Sequence, residues 1–190
     1  YLISGVATND EMVRGEECEA IGLLGRLPAA NDCFLVLPGT HSKHLRVEHF
    51  EVTGIKTYMT GELFDVLARH SVLKANLDTL SLRSPDENHL RAFDAGVMRS
   101  MRSGLGSSLF QTRTRAVLRN CAAGDNAWFL SGVLIGAELH DLTQVALDMV
   151  FLGVAEPAMG SHCTVARIEC CVGGQKLCRI RLCPARLPGI

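Results

Sequence analysis

A mixed α/β fold, in which two β-hairpins lead into a helix, is predicted by three observations in residues 34–67. The apolar run Phe34-Leu-Val-Leu37 is short and ends at Pro38-Gly39. Leu45, Val47 and His49 then alternate with Arg46 and Glu48, and Val52, Ile55 and Tyr58 carry a further extended segment. From Glu62 onward, Leu63, Phe64, Val66 and Leu67 recur at helical spacing.

Taken in chain order, Arg14, Glu16 and Glu17 begin a predicted helix, where acidic residues suit the positive end of the dipole. A solvated first turn is the ordinary reading of such a charged cluster. Residues 34–37 are few enough to form a strand buried on both faces. Behind them, Gly39 allows close backbone approach, Thr40 and Ser42 bring hydroxyl donors, and Lys43 brings a point charge. Such a turn can hold phosphate, since charge-assisted hydrogen bonds contribute roughly 1.5–3 kcal/mol each. It fits neither a Walker loop nor a dinucleotide fingerprint, and an ordinary polar hairpin turn is the competing reading. His41 and His44 lie three apart, on opposite sides of an extended chain, so these two, with His49 and His70, are expected to be surface imidazoles and not a metal cluster. Thr60 is placed to cap the helix that follows, and Gly61 puts a second glycine at a strand-to-helix junction, where free amides attract anions.

Residues 76–87 are polar, contain Ser84-Pro85 and read as the flexible link; Asp86 is expected to cap a helix through about Met101. Residues 129–139 read as a buried helix, in which Ser131, Gly132 and Gly136 suggest close helix packing. Met149-Val-Phe-Leu-Gly-Val-Ala-Glu-Pro-Ala158 reads as a strand, then Gly153, then the start of a helix.

With 190 residues, 47% of them hydrophobic, the chain can bury a sizeable core, roughly 70% of its unfolded surface. A net charge of −1 offers no electrostatic grip on nucleic acid. No apolar run approaches the roughly 20 residues of a membrane span. Neither a nucleic acid nor a membrane is therefore expected as partner, no export signal is seen, and the expected location is cytoplasmic with reduced thiols.

Four segments in order carry a resemblance. Val13-Arg-Gly-Glu-Glu17, Leu37-Pro-Gly-Thr-His-Ser-Lys43, Tyr58-Met-Thr-Gly-Glu-Leu63 with Arg69-His-Ser-Val-Leu73, and Phe129-Leu-Ser-Gly-Val-Leu-Ile-Gly-Ala-Glu138 resemble the successive signatures of the 2-dehydro-3-deoxygalactonokinase family. The resemblance covers about residues 10–159. It implies an actin-like ATPase, or ribonuclease-H-like, kinase lobe, and ATP-dependent phosphorylation of 2-dehydro-3-deoxy-D-galactonate with Mg2+. It also implies roles: Gly39, Thr40, His41, Ser42 and Lys43 on the nucleotide phosphates, Arg14, Gly15, Thr60 and Glu62 on the sugar acid, Glu16 or Glu17 as catalytic carboxylate, and Gly153 on the adenine side. Glu62 is alternatively a plain N-terminal helix acid, Cys18-Glu19 stands where the family has Thr-Gln, and His44 replaces its tryptophan, a local loss of packing. A homodimer is left open.

The family's first-lobe Asp-x-Gly-x-Thr turn is not found, so the chain is expected to be a fragment or truncated homologue with the first lobe largely missing. Residues 1–30 would end that lobe or connect it, 31–159 would form the second lobe, and 160–190 an atypical tail. Five of the eight cysteines (Cys163, Cys170, Cys171, Cys178, Cys183) fall in this tail, and a frameshift near residue 159 would explain the change in composition. The alternatives are a non-catalytic nucleotide-binding remnant and a metal-binding protein built on the tail, although its cysteine gaps are irregular for zinc.

Overall fold

The computed structural model describes residues 5–24, 32–49, 51–144, 150–155, 163–169 and 179–182. Two compact units emerge, Tyr1–Tyr58 with Ala146–Ile190, and Met59–Val145.

The first unit is built on β3 (Asp32–Leu37). It follows a small hairpin of β1 (Val6–Ala7) and β2 (Met12–Val13) and helix α1 (Glu16–Leu24). β3 pairs antiparallel with β4 (Ser42–Glu48), which pairs antiparallel with β5 (Glu51–Tyr58). On its other edge β3 runs parallel to β6 (Val150–Ala155), and β7 (Cys163–Glu169) and β8 (Arg179–Leu182) extend the sheet antiparallel. The order β5-β4-β3-β6-β7-β8 is thus a mixed sheet, as expected for the fold class.

Alternation along the central strands makes the core. Cys33, Leu35 and Leu37 share one face of β3 with Leu45 and Val47 of β4, and α1 covers that face with Ala20 and Leu23, three residues apart. Val36, facing the other way, is buried too, which is why the strand reads as an unbroken apolar run. Each fully buried leucine or valine contributes on the order of 1.5–3 kcal/mol. Burial, with the nearby Asp32 charge, pushes the Cys33 thiol up, as befits a core residue.

Two expectations in this sheet are corrected. His49 is not the end of a strand: it sits in the left-handed region (φ 53°) and turns the chain from β4 to β5, with its amide donating to Asp32 Oδ1 at 3.2 Å. His44 is not a surface imidazole. It is 2% exposed and packs on Tyr58, ring centroids 4.5 Å apart, because its place in β4 faces inward.

The second unit is helical. α2 (Thr60–His70), α3 (Glu87–Ser103) and α4 (Leu105–Arg119) surround α5 (Ala123–His140). α5 is apolar around its whole circumference and is correspondingly buried, with Phe129, Leu130 and Val133 at 1% exposure or less. Its small residues are packing sites, as predicted. A Cβ on Gly132 would lie 2.1 Å from the Phe93 carbonyl oxygen, and one on Gly136 would lie 2.8 Å from Val97 Cα. The reciprocal contact, from Gly96 of α3 to the Phe129 carbonyl oxygen, was not anticipated. Asp86 caps α3 as expected, in a capping box with His89. The His89 amide, donating to Asp86 Oδ1, holds the Asp86 carboxyl low although burial acts the other way.

The expected link, residues 76–87, is instead tied down. It contains a 3-10 turn at Thr79–Arg83 and is held by α5: Asn126 Nδ2 donates to the Asn76 carbonyl (3.4 Å) and Trp128 Nε1 to that of Ser81 (3.3 Å). No helix among the described residues is long and apolar enough to cross a membrane.

Candidate active site

Packing of α1 on the sheet of the first unit places two of the four quoted segments side by side. β3 ends at Leu37 and β4 begins at Ser42, so Pro38, Gly39, Thr40 and His41 form an exposed tip. Gly39 has no positive φ, and a Cβ there would meet nothing closer than the His41 carbonyl oxygen at 3.9 Å. Among the described residues, neither backbone strain nor packing calls for glycine at this position.

Ser42 and Lys43, on opposite faces of β4, are both buried, at 2% and 5% exposure. The Lys43 ammonium donates to the His41 carbonyl (3.0 Å), which fixes the tip, and lies 3.3 Å from Glu16 Oε1, in the first turn of α1. That contact joins the turn to the Arg14-Gly-Glu-Glu17 segment.

The second segment is ordered by its own carboxylates. Gly15 takes φ +115°, a region closed to most side chains, and turns the chain from β2 into α1. Glu16 Oε2 accepts from the Arg14 amide (2.9 Å), and Glu17 Oε2 accepts from the Gly15 amide (2.6 Å). Burial works to raise the Glu16 pKa, but hydrogen bonds from its own amide and that of Arg14, with the Lys43 charge, outweigh it and hold the carboxyl below the usual range. Glu17 is buried, whereas Arg14 is exposed and leaves its guanidinium in solvent. The hairpin carrying Arg14 is anchored to β5, where the Thr57 amide donates to Glu11 Oε1 at 3.3 Å.

Thr60 and Glu62 belong to the second unit. Thr60 is not a cap. It is the first residue of α2, Met59 occupies the capping position without a side-chain bond, and the Thr60 hydroxyl donates to Glu138 Oε2 at 2.5 Å. With that proton committed, Thr60 offers a ligand lone pairs to donate to, not a hydrogen to accept. Glu62 lies in the first turn of α2, at the positive end of its dipole. Glu138, 6% exposed at the end of α5, was quoted within a motif but given no role. A carboxylate closing an otherwise apolar run was the available signal.

Gly153 lies inside β6, paired with Val165, not after the strand at a turn into a helix. The helix expected after it falls at residues 156–162, outside the described residues.

The chain's similarities agree with these segments. A family model described as 2-keto-3-deoxy-galactonokinase matches residues 1–166. A Rhizobium meliloti (strain 1021) protein named a probable 2-dehydro-3-deoxygalactonokinase is 37% identical over 147 residues, 73% of this chain and 46% of its own length. The 2-dehydro-3-deoxygalactonokinase of Escherichia coli is 36% identical over 147 residues, 75% of this chain and 47% of its own. A crystal structure of a Sinorhizobium meliloti protein, described as a candidate 2-dehydro-3-deoxygalactonokinase, superposes with a TM-score of 0.67 at 34% identity, over 78% of this chain and 50% of that one. The chain spans about half the length of these relatives. With a family match over most of its residues and relatives above 35% identity, the chain belongs to the 2-keto-3-deoxy-galactonokinase family.

Proposed function

We propose that this chain forms part of an ATP-dependent kinase that converts 2-dehydro-3-deoxy-D-galactonate to its 6-phosphate in the cytoplasm, on an actin-like ATPase lobe. The observation that carries the reading is the Lys43–Glu16 contact: it locks the turn onto the start of α1 and leaves the tip 38–41 exposed, with a glycine that the chain itself does not require. The strand, turn, strand, strand, helix order of β3, β4, β5 and α2 supports the actin-like assignment.

In this reading the tip amides and the Thr40 hydroxyl take the nucleotide phosphates, and Lys43 holds the tip in place while lending its charge. Arg14, exposed and planar, pairs with the sugar acid's carboxylate or a phosphate. Gly15, Thr60 and Glu62 are further substrate contacts, and Gly153 lies on the adenine side. The terminal hydroxyl oxygen attacks the γ-phosphorus, the bond to the β–γ bridging oxygen breaks, and ADP leaves. A carboxylate accepts the hydroxyl proton. Glu16, held ionised by a cation and amides, is a weak proton acceptor and suits orienting a hydroxyl, which leaves Glu17 as the base within this chain. Mg2+ bound with ATP supplies charge neutralisation between the phosphates. The ionised oxygen of Glu16 is a hard donor of the kind Mg2+ accepts.

The test is ADP release from ATP and Mg2+ with and without 2-dehydro-3-deoxy-D-galactonate. Sugar-acid-dependent release supports the kinase. ATP binding with no release for any sugar acid supports a nucleotide-binding module instead, and the absence of both would sink the proposal. Where release is seen, Lys43→Ala should cost at least about tenfold in turnover or in the Michaelis constant for ATP, about 1.4 kcal/mol.

A further inference from the structure

We propose that a groove in the second unit, between α3 and α4, binds a small phosphate-bearing anion. The inference does not rest on the kinase reading. The groove encloses about 290 Å³ and is lined by Arg99 and Arg102 of α3, Gln111, Arg115 and Arg119 of α4, and Phe129 of α5. That volume is near the low end for small-molecule sites and suits an anion the size of a triphosphate or a phosphorylated sugar acid.

Four guanidiniums line the groove and no acidic residue does. Arg99 and Arg102, three apart, share a face of α3, and Arg115 and Arg119, four apart, share a face of α4. Like charges at such spacings destabilise a helix, and no acid of the groove offsets them. Helix dipoles account for part of the pattern, since Arg102 and Arg119 stand in the last turns of their helices. They do not account for Arg99 and Arg115, which sit further in. Arg99 Nε is sealed from solvent and has no hydrogen-bond partner among the described residues. A buried donor left so costs about 1–3 kcal/mol, and an anion oxygen relieves that cost once Arg99 turns its guanidinium into the groove.

Arg115 is held ready for the same task. Its guanidinium lies over the Phe129 ring, 4.4 Å from the centroid, and its Nε reaches Asn126 Oδ1 at 3.4 Å. The ring and the Nε bond restrain the guanidinium, and a guanidinium has two further nitrogens with which to donate to a phosphate in a bidentate fashion. Arg102 and Arg119 are exposed and supply charge at the mouth.

Isothermal titration of the full chain with inorganic tripolyphosphate tests the proposal. Saturable binding is expected, with a component weakened at least tenfold by Arg99→Gln with Arg115→Gln and little changed by Arg91→Gln, an exposed arginine of α3 outside the groove. Because the half-buried pair could affect folding, Arg102→Gln with Arg119→Gln provides a second variant, expected to keep the melting temperature and to weaken binding severalfold. Absence of binding, binding insensitive to both double variants, or binding weakened as much by Arg91→Gln would each overturn the proposal. Parallel titrations with ATP and with 6-phosphogluconate, each compared between the unsubstituted chain and the Arg102→Gln, Arg119→Gln variant, identify the source of the phosphate: the ligand that loses more affinity in the variant names a nucleotide or a phosphorylated sugar acid.

Discussion

Removing the charge from either end of the Lys43–Glu16 pair should reveal a coupling of about 1–2 kcal/mol that disappears in acid. At the 3.3 Å separation, an effective dielectric near 20 gives a Coulomb attraction of about 5 kcal/mol. Most of this is offset. Lys43 has given up its hydration at 7% side-chain exposure, and Glu16, at 28%, is still partly screened by water. A net value in the range of a hydrogen bond between charged groups, about 1.5–3 kcal/mol, remains for loss of Lys43, part of it packing of the aliphatic stem. Lys43→Met keeps the stem and Glu16→Gln keeps an oxygen for the Arg14 amide, so the double-mutant cycle isolates charge on charge. The pH sign follows from the depressed Glu16 pKa: its contribution is fully present above the ordinary value of 4.5 and is lost as pH falls through the lower folded value. Urea unfolding of the four proteins at pH 7, and stepwise below pH 4.5, gives the coupling directly. A coupling under about 0.3 kcal/mol at pH 7, or one indifferent to acid, would show that the contact is incidental and that Lys43 does not hold the turn onto α1.

Gly39→Ala is expected to leave stability unchanged or raise it by about 0.4–1 kcal/mol, since the new methyl makes only an ordinary contact with the His41 carbonyl oxygen, at 3.9 Å, and the unfolded chain loses freedom; on the kinase reading ATP affinity should nevertheless fall at least about tenfold, and unchanged affinity would remove Gly39 from the phosphate contact. Gly132→Ala drives a methyl to within 2.1 Å of the Phe93 carbonyl oxygen, so α3 and α5 must separate at a cost of about 1–3 kcal/mol or more, visible as a lower melting temperature. Thr60→Val takes one donor from the buried Glu138 carboxylate and should lower stability by about 1–3 kcal/mol, whereas Glu138→Gln, which removes the charge along with the need for that donor, should lower it less. Equal losses for the two variants in thermal unfolding would contradict that view of the contact.

What the sequence made legible was whatever a short window encodes. Leu45 and Val47 alternating with Arg46 and Glu48 define β4, and the apolar run at residues 34–37 defines a strand covered on both faces. Asp86 announces α3, and the glycines of α5 announce a close helix contact. Apart from His49, whose left-handed turn is local, the misreadings turn on partners far along the chain. Residues 76–87 are polar enough to read as a free link, yet Asn126 and Trp128 hold them by side-chain bonds that no local pattern contains. Thr60 stands where a cap belongs, but Glu138 of α5 takes its hydroxyl. His44 looks like a surface residue until Tyr58 of β5 is laid against it. The candidate site shows the same limit: Lys43 and Glu16 each lie in a segment that the sequence singled out, and only the packing of α1 on the β3–β4 face reveals that they hold each other.

This mutual holding bears on how the segments work. Phosphoryl transfer depends on placing groups and charge more than on covalent chemistry, so a residue that fixes another can matter as much as one that touches the ligand. In the first unit Lys43 and Glu16 are engaged with each other, with the His41 carbonyl and with the Arg14 amide, while the exposed groups are the tip 38–41 and the Arg14 guanidinium. The two kinds of residue should therefore separate experimentally. Substitution of Lys43 or Glu16 should disturb stability and ATP affinity together, because the turn and the start of α1 loosen as one. Substitution at Gly39 should disturb ligand binding alone. In the second unit Thr60 and Glu138 repeat the arrangement, so Thr60→Val is expected to behave as the Lys43 class does, and a loss of ligand binding there without a loss of stability would make Thr60 a contact and not a support.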